Sequence, residues 1–169
     1  GQAGLPLPQQ RHLERVQRDV LHAAADAEPC THWPGADVRR YRDALYALPP
    51  LPAVDAPQQW TWKLDAPLSI ASVGTLTARR DQGLGLRADA CAVGVRVAFR
   101  NGGERIQPAG RAHHATLKNL FQQAGVPPWR RDRVPLLYIG AELAAVAGYW
   151  YAEEFAARDG AITIEFQPE

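Results

Sequence analysis

The side chains in this sequence whose types and spacing could do chemistry start with a run of positive charge between Arg100 and Arg133. Arg100, Arg105, Arg111, Lys118, Arg130, Arg131 and Arg133 fall in that window, and only Glu104 and Asp132 oppose them, a net charge of +5. The whole chain is +1, so the remainder is acidic. A basic block in an otherwise acidic chain attracts polyanions through its local field. A solvated face of no specific use would show the same count of charges. Lys63 and Lys118 are the only lysines. With so much Ala, Pro and Gly, that bias suits a GC-rich genome, so an arginine-rich surface says less about nucleic acid than usual.

The remaining reactive groups do not assemble into catalytic machinery. Gly102 and Gly103, in "NGGER", follow a strand pattern. A Walker loop would need a Lys-Ser/Thr pair opening a helix, and a dinucleotide loop would need three spaced glycines. Neither is present, and Pro108 interrupts first. The pair suits a tight turn at positive φ, whose N–H groups could meet a phosphate. His113 and His114 are adjacent and point different ways, which is poor geometry for a shared metal, so no metal site is predicted. His114 could precede or cap a helix at Ala115. Glu153 and Glu154 read as solvated carboxylates. Cys30 and Cys91 are single and distant, and read as buried thiols of a reducing cytosol rather than a disulfide. No Ser/His/Asp or Cys/His spacing stands out. No catalytic residue is assigned, and a small hydrolase built on His113 or His114 is disfavoured.

These residues need elements to hold them. Gln9 to Ala25 reads as an amphipathic helix with Leu13, Val16, Val20 and Leu21 on one face, ended by Pro29. Residues 36–48 read as a hairpin turning near Arg42 to Ala44. The prolines of 49–57 mark a linker. Beyond them the pattern is mainly β. Trp60 and Trp62 alternate, "GTLTARR" alternates, and Val93, Val95, Val97 and Phe99 share a face. "ATLKNLFQQAG" reads as a short helix burying Leu117, Leu120 and Phe121, with Lys118 opposite and Gly125 as its stop. "VPPWRRDR" holds one proline-started turn. "VPLLYIGAELAAVAGYWY" reads as a hairpin turning at Gly140 to Ala141, and "AITIEF" as the last strand. Phe121 and Trp129 are the expected anchors of the basic segment.

With 169 residues and 46% apolar content, the chain is long enough to bury a core. No apolar run approaches the ~18 residues of a membrane span, and no signal-peptide pattern opens the chain. The fold expected is α+β: a helix and hairpin over 1–50, then a mainly antiparallel β domain over 51–169 with one short helix and a basic loop insertion. A lone amphipathic helix cannot bury its own face. The sequence is therefore expected to begin partway into a domain. Several arginines beside glycine loops suit phosphate contacts. No aromatic-rich sheet motif of single-strand RNA binders is visible, which favours recognition of a folded or double-stranded nucleic acid by its backbone.

The run "FRNGGERIQPAGR", followed by "LKNLFQQAGVPPWRRDRVPLLYIGAELAAVAG", resembles the C-terminal domain of bacterial tRNA(Ile)-lysidine synthetases. Residues 4–48 look like the end of that family's middle, substrate-binding domain. The resemblance implies a cytoplasmic ligase that joins lysine to C2 of the wobble cytidine of isoleucine tRNA. ATP, with Mg, first adenylates the cytidine, and the lysine amine then displaces AMP. That chemistry belongs to an N-terminal PP-loop domain with an S-G-G-x-D-S motif, which is missing from these 169 residues. The implied partners are the tRNA with a CAU anticodon, held near its acceptor stem, and the chain's own catalytic domain; a homodimer is compatible. Gly102, Gly103, Arg105, Arg111, Lys118, Arg130 and Arg131 are the tRNA-binding candidates. Asn119 stands where a second basic residue usually follows Lys118, and Arg130 is an added charge. The alternative is a non-catalytic interdomain or protein-docking module with no direct RNA contact.

Overall fold

The computed structural model describes residues 4–23, 29–54 and 58–169. The chain forms two compact units, residues 1–53 and 54–169.

In the first unit, helix α1 (Gln10–Arg15) runs on through a wider π-helical stretch over Val16–Leu21. It faces a three-stranded antiparallel sheet in the order β1 (Cys30–Trp33), β2 (Ala36–Tyr41), β3 (Ala44–Leu48). The expected hairpin is β2–β3, turning at Arg42 and Asp43. Strand β1 was not anticipated; prolines flank its four residues, and the Pro34–Gly35 turn returns it onto β2.

The buried helix face also differs from the expected one. His12, Val16 and Val20 point inward, while Leu13 and Leu21 are exposed. Val16 and Val20 keep the expected face, and His12, one α-helical turn before Val16, takes the inward place expected of Leu13. His12 stacks on Trp33 with ring centroids 5.4 Å apart and planes 11° from parallel. The Gln9 N–H donates to His12 Nδ1 (3.1 Å), and the Trp33 indole N–H donates to the Pro6 carbonyl (3.1 Å). Pro29 does not end the helix. Regular helix stops at Leu21, where the Arg40 guanidinium donates to the Leu21 carbonyl at 2.7 Å and to Ala23 at 2.5 Å. That cation satisfies carbonyls the helix end leaves open. Ala24 and Ala25 lie outside the described residues.

The second unit holds two five-stranded antiparallel sheets. Its strands are β4 (Trp60–Trp62), β5 (Leu68–Ile70), β6 (Gly74–Asp81), β7 (Gly85–Leu86), β8 (Val95–Ala98), β9 (Arg105–Ile106), β10 (Ala115–Thr116), β11 (Leu136–Ile139), β12 (Glu142–Val146), β13 (Trp150–Tyr151), β14 (Ala156–Ala157) and β15 (Ala161–Pro168). One sheet is ordered β13-β12-β11-β8-β4, the other β14-β7-β15-β6-β5, and β9 and β10 form a separate pair. Both sheets contribute to one core. Leu76, Leu86 and Ile164 come from one sheet, and Val95, Val97, Leu136 and Leu137 from the other. The hairpin at Gly140 is β11–β12, as its alternation predicts. Val93, expected to share a face with Val95, Val97 and Phe99, is 88% exposed because β8 starts only at Val95. Cys91 is buried; Cys30 is exposed rather than buried, and both are free thiols. Burial pushes the Cys91 thiol up from its ordinary value.

Candidate nucleic-acid interface

The basic segment is a strand, a loop, a strand and two short helices, all docked on the second unit's core. Helix α2 (Leu117–Gln123) is its spine. Thr116 caps its start, the hydroxyl accepting the Asn119 N–H at 3.3 Å. Its end is a Schellman turn: the Val126 N–H returns to the Phe121 carbonyl (2.9 Å) and Gly125 to Gln122 (3.2 Å), with Gly125 at φ +71°. Leu117, Leu120 and Phe121 are buried and Lys118 is exposed, as the spacing predicts. Phe121 is fully buried, with its ring 5.3 Å from Tyr149 and 5.2 Å from Trp150. Helix α3 (Pro128–Arg131) starts on Pro128, whose missing N–H costs nothing there. Trp129 is half-buried in this short helix.

The cations are distributed along α2. Arg105 sits directly across the β9–β10 pair from Thr116, the cap of α2. Lys118 lies in the first turn. Arg111 reaches Gln123, the last helical residue, at 3.4 Å. Just beyond, Arg131 donates Nε–H to the Val126 carbonyl at 2.7 Å, so it also holds the turn after α2. Arg130 is exposed on α3. Arg133 donates to the Ser72 carbonyl and ties the end of the segment to the β5–β6 turn.

The two carboxylates of the window are both directed at Arg100. Arg100 Nη1 meets Asp132 at 2.9 Å, and Arg100 Nε lies 3.7 Å from Glu104, with side chains only 16% and 11% exposed for Arg100 and Glu104. Arg105, Arg111, Lys118 and Arg130 are therefore left without an ion pair among the described residues. Arg105 does share a small hollow of about 80 Å³ with His114 and with Glu142, Glu153 and Glu154.

The glycine loop works differently from what its sequence suggests. Gly102 and Gly103 both take positive φ (95° and 85°), a pair of conformations that L side chains rarely adopt. That turn folds Glu104 back so that its carboxylate accepts the N–H groups of Asn101 (2.5 Å) and Gly102 (2.8 Å). Of the two glycine amides that could have met a phosphate, that of Gly102 is taken by the chain's own carboxylate. Gly102 and Gly103 shape the segment. The following loop is also fastened: the Gly110 N–H donates to Glu153 (2.5 Å), Ala109 N–H to the Tyr151 carbonyl (2.9 Å), and Glu153 N–H to Gln107 (2.8 Å). Glu153, read as a solvated carboxylate, thus positions the loop that carries Arg111.

His113 and His114 are exposed. Among the described residues, no three His, Cys, Asp or Glu side chains converge as a metal site requires. No described helix is long and apolar enough to cross a membrane.

A helix-and-sheet unit, followed by a mainly antiparallel β unit that presents exposed cations on a helix–loop frame, defines an α+β chain. The TilS substrate binding domain family matches residues 1–46, and the TilS substrate C-terminal domain family matches residues 95–167. The tRNA(Ile)-lysidine synthase of Methylococcus capsulatus is 40% identical over 163 residues, covering 95% of this chain and 37% of that protein. The tRNA(Ile)-lysidine synthase of Coxiella burnetii is 39% identical over 168 residues, covering 98% of this chain and 37% of that protein. A solved structure described as "Crystal structure of TILS C-terminal domain" matches 66% of this chain and 98% of its own, with a TM-score of 0.52 and 20% identity, a likeness of fold. The chain belongs to the tRNA(Ile)-lysidine synthase family and corresponds to its substrate-binding and C-terminal domains. It spans little more than a third of the length of these curated relatives.

Proposed function

We propose that this chain is the tRNA-holding portion of a ligase that joins lysine to C2 of the wobble cytidine of isoleucine tRNA. Residues 1–53 would be the end of the substrate-binding domain and 54–169 the C-terminal tRNA-binding domain. ATP and lysine would be handled by a PP-loop domain, so the 169 residues alone bind and orient the RNA, by similarity on its acceptor-stem side, without ligating.

The observation that carries this reading is the arrangement along α2. Arg105, Lys118 and Arg111 follow the helix from cap to last turn, and the window's two carboxylates are both directed at Arg100. Exposed cations on a fixed frame, offered at several points, suit successive phosphates of a folded RNA. Gly102 and Gly103 contribute the turn; Arg130 adds charge, and Arg131 combines charge with a hold on Val126.

The test is charge reversal at Arg105 and Arg111. R105E/R111E weakens tRNA binding and lowers the slope of log affinity against log salt by roughly one unit for each phosphate no longer neutralised. An unchanged affinity and slope would contradict the assignment and favour a docking surface for protein.

A further inference from the structure

We infer that Tyr149 and the groove beside it hold one unpaired nucleotide of the RNA, a step that rests on the tRNA-holding reading. Phosphate contacts alone carry no base information. Tyr149 is 41% exposed and is the one aromatic among the strongly exposed large apolar side chains of the described residues. Its ring is not loose. It meets Phe121 edge-on at 5.3 Å and 88°, and Trp150 at 5.3 Å and 36°. Its N–H donates to the Val146 carbonyl at 2.9 Å, closing a tight turn in which Gly148 takes φ +76°. A tyrosine held this way loses little freedom on binding and still offers π surface.

Gly148, its chain neighbour, lines a groove of about 490 Å³ with Thr75, Thr77, Phe166 and Gln167. That volume lies in the range of small-ligand sites. The hydroxyls and the amide can donate and accept, as a base edge or a ribose hydroxyl requires, and Phe166 adds apolar contact. Glu165 also lines the groove, and its carboxylate is paired with Arg79. Phe121, against which Tyr149 packs, belongs to the helix that carries Lys118, so an aromatic ring and a cation are set on one frame. Stacking on an aromatic ring beside a basic track is how unpaired nucleotides are gripped.

The experiment compares the 169-residue chain with Y149A, Y149L and Y149F on two RNAs, the isoleucine tRNA and a blunt-ended RNA duplex, by fluorescence anisotropy. Y149A and Y149L should bind the tRNA roughly ten-fold more weakly, while Y149F stays close to wild type. Duplex affinity and the salt slope should not change, since every cation stays in place. Leucine keeps an apolar contact with Phe121, so weaker binding by Y149L is not a folding defect. Y149A binding tRNA as wild type does, or weakening equally on both RNAs, overturns this inference alone. A wild-type chain that binds neither RNA overturns it together with the tRNA-holding reading.

Discussion

Glu104 folds back onto Gly102, its carboxylate accepting the Gly102 N–H at 2.8 Å. The same carboxylate takes the Asn101 N–H, and its other oxygen faces Arg100. One acidic residue in a basic run thus closes the loop and half-neutralises a nearly buried arginine. Replacing it with alanine leaves two loop amides and the Arg100 guanidinium short of partners. E104A should lower the stability of the second unit by about 2 kcal/mol, read from the denaturation midpoint. It should also weaken RNA binding although it removes a negative charge, because the loop before Arg105 loses its shape. Tighter RNA binding by E104A would show that charge outweighs loop order here.

That role for Glu104 was not legible in the sequence. In a linear count it only subtracts from the basic charge, and its partners lie two and three residues back. They meet it only because Gly102 and Gly103 both take positive φ. The α2 helix was legible because Leu117, Leu120 and Phe121 fall on one helical face and Gly125 supplies the stop. The β11–β12 hairpin was legible from alternation around Gly140. Strand β1 was hidden because four residues between prolines leave no room for a pattern to repeat. Of the site, the cations could be named, but not that Arg131 also grips Val126 or that Arg133 reaches Ser72. Those contacts depend on turns whose direction the sequence does not encode locally. Tyr149 merged into the "GYWY" run, where alternation cannot separate a strand residue from the turn before it.

Phe121 is the side chain through which α2 joins the core. It is fully buried and touches Tyr149 and Trp150. F121A should cost about 3–5 kcal/mol, as usual for a buried aromatic truncated to alanine, and be visible as a large drop in melting temperature. A conservative F121L should recover part of that stability. A negligible shift in F121A would mean α2 is not packed as described.

His12 makes the first unit sensitive to acid. Burial against Trp33, then the neighbouring charges of Arg11 and Arg15, hold its imidazole below the ordinary histidine value. The unfolded chain takes up a proton near the ordinary value of about 6.5, the folded chain only at lower pH. The stability this neutral ring contributes is therefore present above that value and is lost as pH falls through the folded one. Melting temperature should decline as pH falls below about 6.5, and less steeply in H12F. Identical pH profiles for wild type and H12F would rule out His12 as the titrating group.

The central claim is that the α2 frame binds tRNA through its cations. The most direct measurement is a titration of this chain with the isoleucine tRNA bearing a CAU anticodon, beside an unrelated tRNA, across a salt series. Binding to the isoleucine tRNA should weaken steeply and linearly on a log–log salt plot, with a slope reporting several phosphates. Absence of binding at low salt, or binding indifferent to salt, would contradict the claim.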